Sequence, residues 1–171
     1  MNRIIDYENL SIKLQSWIKS YVENNNITCL VVGVSGGIDS AVVSTLCAET
    51  GLPTIVVGMP INSSPENTKL SDLQISLLTA KYPNVEGYHI DLSSVFESFK
   101  SHKAFGQRFN SELGFANTKS RLRMISLYQI AASVNGIVIG TGNKVEDFGV
   151  GFYTKYGDGG VDISPIADLY K

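Results

Sequence analysis

Apolar residues along this chain switch between two spacings, and the switching predicts its elements. Leu10, Leu14, Trp17, Ile18, Tyr21 and Val22 recur at three- and four-residue intervals, with Lys13, Gln15, Lys19 and Glu23 falling between them. That spacing gathers the apolar set on one face of a first helix. Asn24-Asn25-Asn26 ends it. From Ile27 to Val34 the run is apolar without polar alternation, the pattern of a strand covered on both faces in a parallel sheet. Gly36-Gly37 breaks the run, and Ile38 to Glu49 reads as a second helix stopped by Gly51.

The unit then repeats. Thr54 to Met59 is a second buried strand. Ser64-Pro65 combines a capping serine with proline at the first helical position, starting a helix that runs to about Lys81. Val85 to Ile90 is a third strand, and Leu92 to Leu113 a helix and a loop containing Gly106. Asn117 is the expected cap of a long helix to about Asn135, and Gly136 to Gly140 is a fourth strand. Gly149 to Ser164 holds glycines and aromatics without periodicity, and is expected to be a mobile loop. Ser164-Pro165 repeats the cap-and-proline signal, so a further helix is expected from Pro165.

Strand–helix alternation at this spacing predicts an α/β fold, a doubly wound parallel sheet with helices on both faces. The 171 residues fit a single domain, 1–171, with 149–164 as its loop. The Ser164-Pro165 signal has little chain after it, so the sequence is expected to be the C-terminally truncated part of something longer. Ligands in such sheets bind beyond the carboxyl ends of the strands. The polar clusters Ser35 to Ser40, Pro60 to Ser64 and Thr141 to Glu146 all follow strand ends.

Composition narrows the function classes. Hydrophobic residues make up 43% and charged residues 18%, with a net charge of −2. That balance is globular and lacks the basic surplus of a general nucleic-acid binder. The longest uncharged stretch, Met124 to Asn143, contains Gln129, Ser133 and Asn135 and divides into a helix and a strand rather than a membrane span. No secretory signal is read at the N-terminus, and a soluble, cytoplasmic protein is expected. Cys29 and Cys47 share no metal-ligand spacing and are expected as small buried hydrophobes.

The chemistry concentrates in four strings. Gly33 to Ser40 (GVSGGIDS) places glycines and hydroxyls where a strand turns into a helix, a place where backbone N–H groups and the helix dipole favour an anion. Asp39 beside a phosphate calls for a bridging divalent cation such as magnesium. Asn117 to Met124 (NTKSRLRM) carries three cations in the expected first turns of a helix, an unfavourable end for positive charge that a bound polyanion would offset. Gly140 to Glu146 (GTGNKVE) offers a second carboxylate at a neighbouring strand end, and Thr154 to Asp162 (TKYGDGGVD) is the fourth string.

Ser35-Gly36-Gly37-Ile38-Asp39-Ser40 resembles the pyrophosphate loop of the ATP pyrophosphatases, within the adenine nucleotide alpha hydrolase-like, Rossmann-type folds. The other three strings, in the same order, resemble those of the NAD synthetases. The resemblance implies that Gly33, Val34, Ser35, Gly36, Gly37, Ile38, Asp39, Ser40, Thr141 and Lys171 contact ATP. It further implies that Asp39 and Glu146 hold Mg2+, and that Arg121, Lys155 and Asp162 contact deamido-NAD. Asp158 would face the incoming ammonia. The implied activity is amidation of deamido-NAD with free ammonia through an adenylated carboxylate, in a homodimer. Two alternatives stay open: another ATP pyrophosphatase, of GMP-forming or tRNA-modifying type, and a non-catalytic nucleotide-binding fragment. The acidic balance and the Lys155 to Asp162 string speak against the first.

Overall fold

The computed structural model describes residues 6–105 and 108–170. In chain order these form α1 (Tyr7–Asn24), β1 (Cys29–Val34), α2 (Ile38–Glu49), β2 (Thr54–Gly58), α3 (Pro65–Lys81), β3 (Val85–His89) and α4 (Ser93–Lys100), with a 3-10 turn at Lys103–Phe105. Then follow α5 (Glu112–Ser133), β4 (Gly136–Ile139) and a π-helical turn at Val145–Gly149. The strands make one parallel sheet in the order β3-β2-β1-β4. The expected doubly wound α/β fold is therefore present. Among the described residues no helix is long and apolar enough to cross a membrane, and Met124–Asn143 divides between α5 and β4.

Alternation along β1 separates two cores. Leu30, Val32 and Val34 join Ile18 and Val22 of α1, Val43 and Leu46 of α2, and Ile75 and Leu78 of α3. Cys29 and Val31 point the other way, with Phe96 of α4 and Met124, Leu127 and Ala131 of α5. A strand apolar on both faces has nowhere to sit except between two helical layers, which is why its sequence shows no polar alternation. The edge strand β3 is different: past Val85 it is exposed, and Glu86, Tyr88 and His89 face solvent. On α1 the expected stripe is met in part, because Ile18 and Val22 are buried while Trp17 is 44% exposed at its margin.

Local signals set several ends. The Asp6 carboxylate accepts from the Asn9 N–H at 2.8 Å and caps α1. Ser64 caps α3, with Pro65 in its first turn. Two expectations fail. Helix α5 begins at Glu112, capped by Ser111, which accepts from the Gly114 N–H at 3.1 Å, and not at Asn117. Phe115 packs edge-on against Phe96, drawing these extra turns onto the core. Lys119, Arg121 and Arg123 consequently lie beyond the first turn, where the helix dipole fades, so the dipole cost attributed to them disappears. Pro165 starts no helix among the described residues. Ala167 N–H donates to Ser164 O and Leu169 N–H to Ile166 O, successive turns that keep Ile163 and Ile166 in the sheet core.

Leu30 is fully buried in the central strand. Leu30→Ala should cost about 2–5 kcal/mol, read from the urea unfolding midpoint. A loss below about 1 kcal/mol would contradict burial of β1 on both faces.

Candidate functional site

The strand order places a reversal beside β1: β2 and β3 extend to one side, and the chain then crosses back to β4 on the other. Side chains beyond the carboxyl ends of the strands line a cavity of about 830 Å³. Its wall draws on Ser35 after β1, Thr141 and Glu146 after β4, Arg123 of α5, and Asp158 of the glycine-rich segment. A crevice at such a switch point is the general ligand position of open α/β sheets.

The loop after β1 is tightly specified. Gly36 has φ +84°, and a Cβ there would stand 2.6 Å from the Asn67 carbonyl oxygen of α3. Only glycine both adopts that backbone and tolerates that approach. Ser40 is buried and works inward: its hydroxyl donates to Gly37 O at 2.9 Å and accepts the Ser35 N–H at 3.1 Å. The Ser35 hydroxyl lies 3.1 Å from that of Ser40 and accepts the Gly37 N–H at 3.2 Å. Across the loop, Ser71 donates to Val34 O at 2.8 Å. Helix α2 then starts at a glycine cap with no side-chain hydrogen bond to its first N–H groups. Such an end suits an anionic ligand.

Glu146 sits on the π-helical turn after β4, which Asn143 braces by accepting the Val145 and Glu146 N–H groups at 3.0 and 3.1 Å. Asp39 lies half-buried in the first turn of α2. Among the described residues no three His, Cys, Asp or Glu side chains gather as a metal cage. One carboxylate or two, with phosphate and water oxygens completing the shell, is the donor set magnesium takes, so the residue types suit such a cation; Glu146 lines the cavity, and Asp39 is not among its lining residues. The carboxyl of Asp147 is raised above its ordinary range, first by burial and then by the charges of Asp158 and Glu146.

The glycine-rich segment is fastened along α5. Thr154 donates to Asn117 Oδ1 at 2.9 Å, Arg121 Nε donates to Lys155 O at 3.1 Å, and Tyr128 donates to Gly160 O at 2.8 Å. Asp158 Oδ1 accepts from the Ser120 hydroxyl at 2.5 Å and from the Thr154 N–H at 3.1 Å. Asp162 turns into the fold: Oδ2 accepts the Val138 N–H at 2.7 Å, and Oδ1 lies 3.1 Å from the Tyr128 hydroxyl. Burial, and then the neighbouring Asp162 carboxylate, pushes the Tyr128 hydroxyl up to about 12.

Of the residues singled out in the sequence, Gly33, Val34, Ser35, Thr141, Glu146 and Asp158 line the cavity. Arg121, Lys155 and Asp162 stand beside it in the α5-to-loop contact. Lys171 lies outside the described residues. Arg123 was not singled out, yet it lines the cavity, with Nε donating to Met59 O at 2.9 Å. Burial lowers its affinity for the proton, while the charge of Asp158 works the other way. The signal was available. Residues 120, 123, 124 and 127 share a helical face, Met124 and Leu127 are apolar, and Arg121 falls off that face.

Fold and cavity together define a doubly wound α/β protein whose ligand crevice opens at the topological switch point, floored by a glycine loop suited to an anion. Comparison with known proteins is more specific. The NAD synthase family model matches residues 10–171, and the chain belongs to that family. It is 37% identical to an NH(3)-dependent NAD(+) synthetase from Carboxydothermus hydrogenoformans, covering 98% of this chain and 67% of the relative. It is 39% identical to one from Saccharolobus solfataricus, covering 98% and 58%. The solved NMN synthetase from Francisella tularensis aligns at 35% identity with TM-score 0.86, covering 97% of this chain and 66% of that one. The chain thus spans about two thirds or less of the length of these relatives.

Gly36 and Gly51 both have positive φ, but a Cβ at Gly51 would meet nothing within 4 Å. Gly51→Ala should therefore cost only the backbone strain, about 1–2 kcal/mol, and Gly36→Ala clearly more. Urea unfolding of both variants checks the difference. Equal costs would show that Asn67 does not confine the loop.

Proposed function

We propose that this chain is the ATP-activating portion of an ammonia-dependent NAD synthetase. Its substrates are deamido-NAD, ATP and ammonia, and its products NAD, AMP and pyrophosphate. The observation carrying this reading is the glycine loop against Asn67, opening on an uncapped helix start, in a chain of this family. The nicotinate carboxylate attacks the α-phosphorus of ATP, and pyrophosphate departs toward the N–H groups at the start of α2. Preorganised donors at that point stabilise charge as it develops on the leaving group. Asp39 and Glu146 would hold Mg2+, which supplies charge neutralisation on the phosphate oxygens. Arg123 provides a fixed positive charge within the cavity.

In the second half, nitrogen bonds to the acyl carbon as the bond to AMP breaks, and Asp158 takes the proton that the nitrogen sheds. Arg121, Lys155 and Asp162, joined in the α5-to-loop contact, would contact deamido-NAD, and Thr141, which lines the cavity, would contact ATP. Lys171 is kept as an ATP contact on family resemblance alone. A homodimer and a cytoplasmic location belong to the same reading. A second reading has one supporting observation, the likeness to an NMN synthetase: the acceptor is then a mononucleotide carboxylate rather than a dinucleotide.

Pyrophosphate release with ATP, magnesium and ammonia should be greatest with deamido-NAD. Greater release with nicotinate mononucleotide would move the assignment to the second reading, and preference for xanthosine monophosphate would overturn both. Asp39→Asn should lower release about a hundredfold. A near-normal rate would remove Asp39 as a metal ligand. Calorimetric binding of ATP and magnesium without turnover would reduce the chain to a nucleotide-binding fragment.

A further inference from the structure

Helix α5 carries four serine and threonine side chains, and one behaves differently. Thr118, Ser126 and Ser133 each donate to the carbonyl four residues back, Gly114, Leu122 and Gln129, at 2.9, 3.1 and 2.8 Å. That is the ordinary local outlet for a hydroxyl inside a helix. Ser120 instead reaches out of the helix. Its hydroxyl donates to Asp158 Oδ1 at 2.5 Å and accepts the Asp158 N–H at 2.9 Å. One serine oxygen thereby fixes both the backbone and the side chain of Asp158. The Thr154 N–H supplies a second donor to the same Oδ1 at 3.1 Å, which sets the carboxylate plane.

The loop is built to admit this contact. Gly157, next to Asp158, is buried against Ser120, and a Cβ at Gly157 would overlap the serine hydroxyl. Turn bonds from Gly157 N–H to Thr154 O at 2.9 Å and from Gly160 N–H to Gly157 O at 2.8 Å hold the backbone on either side. Ser120 and Asp158 both line the cavity. With the inward bonds on Oδ1, Oδ2 is the oxygen left for a cavity ligand.

We propose that Ser120 is a positioning residue: it clamps Asp158 through Oδ1 and so aims Oδ2 at the amine nucleophile of the second half-reaction. The proposal rests on the amidation reading given above. Donors locked by packing and a supporting shell hold a reacting group better than a free loop side chain would. Ser120 acts through Asp158 and has no part in forming the adenylate, so its loss should separate the two half-reactions.

The test compares the chain with Ser120→Ala, Ser120→Thr and Gly157→Ala. Three quantities are measured: ATP–pyrophosphate exchange with deamido-NAD but no ammonia, amide formation across an ammonia series, and hydrogen exchange at the Thr154 and Asp158 amides. In Ser120→Ala and Gly157→Ala, kcat/KM for ammonia should fall about fivefold or more relative to pyrophosphate exchange, and both amides should exchange faster. Ser120→Thr, which keeps the hydroxyl, should recover most of the ratio. An unchanged ratio in Ser120→Ala, or an equal loss in both half-reactions, overturns the positioning role. Absence of pyrophosphate exchange and amide formation in the unmodified chain overturns the amidation reading and the proposed role with it. The amide exchange rates would still decide whether the clamp exists.

Discussion

Burial of β1 on four sides is the constraint on which the rest of the molecule depends. Its backbone pairs with β2 along one edge and β4 along the other, and its two faces meet separate helical layers. From Leu30 to Val32 the backbone is paired along both edges, and the side chains there must be apolar on both faces. The chain can leave this environment only at the strand end, so the turn there is held by a rigid support. Loop chemistry placed on such a support inherits its precision.

What the support holds is a set of short bonds between distant segments. Gly36 lies against Asn67 of α3, Ser71 reaches back to Val34, and Ser40 closes the loop on itself. On the opposite wall, Asn117, Ser120, Arg121 and Tyr128 fasten the glycine-rich segment, and Ile163 bridges Ile139 at the end of β4. A single helix therefore serves core, cavity and loop from overlapping positions: Met124 and Leu127 belong to both the core and the cavity wall, while Asn117 and Ser120 line the cavity and hold the loop. This explains why NTKSRLRM mixes apolar, polar and cationic residues without a simple amphipathic pattern.

Much of this was legible in the chain itself. The four strands, the glycine turn after β1 and the caps at Ser64 and Gly51 follow from local rules of spacing and backbone preference, and they fall where those rules place them. The misreadings have a common origin. Ser111 and Asn117 are both competent helix caps, and the choice between them fell to Phe115 packing on Phe96. Ser164-Pro165 carries a sound start signal, yet Ile163 and Ile166 gain more from the sheet core than a new helix would supply. Capping contributes on the order of 1 kcal/mol and burial of a large aliphatic about 1.5–3 kcal/mol, so packing prevails where the two conflict.

Sequence alone therefore determined the alternation of elements, the fold class and the family strings, because each is written in adjacent residues or in a fixed period. Tertiary structure decided which side of α5 faces the cavity, that Arg123 stands there with Arg121 beside it, that Asp162 turns inward to Val138, and that Ser120 leaves its helix to hold Asp158. Those outcomes join residues more than twenty positions apart. Helical periodicity separates Arg123 from Arg121, but only the packed sheet decides which face meets the cavity, and the energies of these contacts exist only once the segments are together.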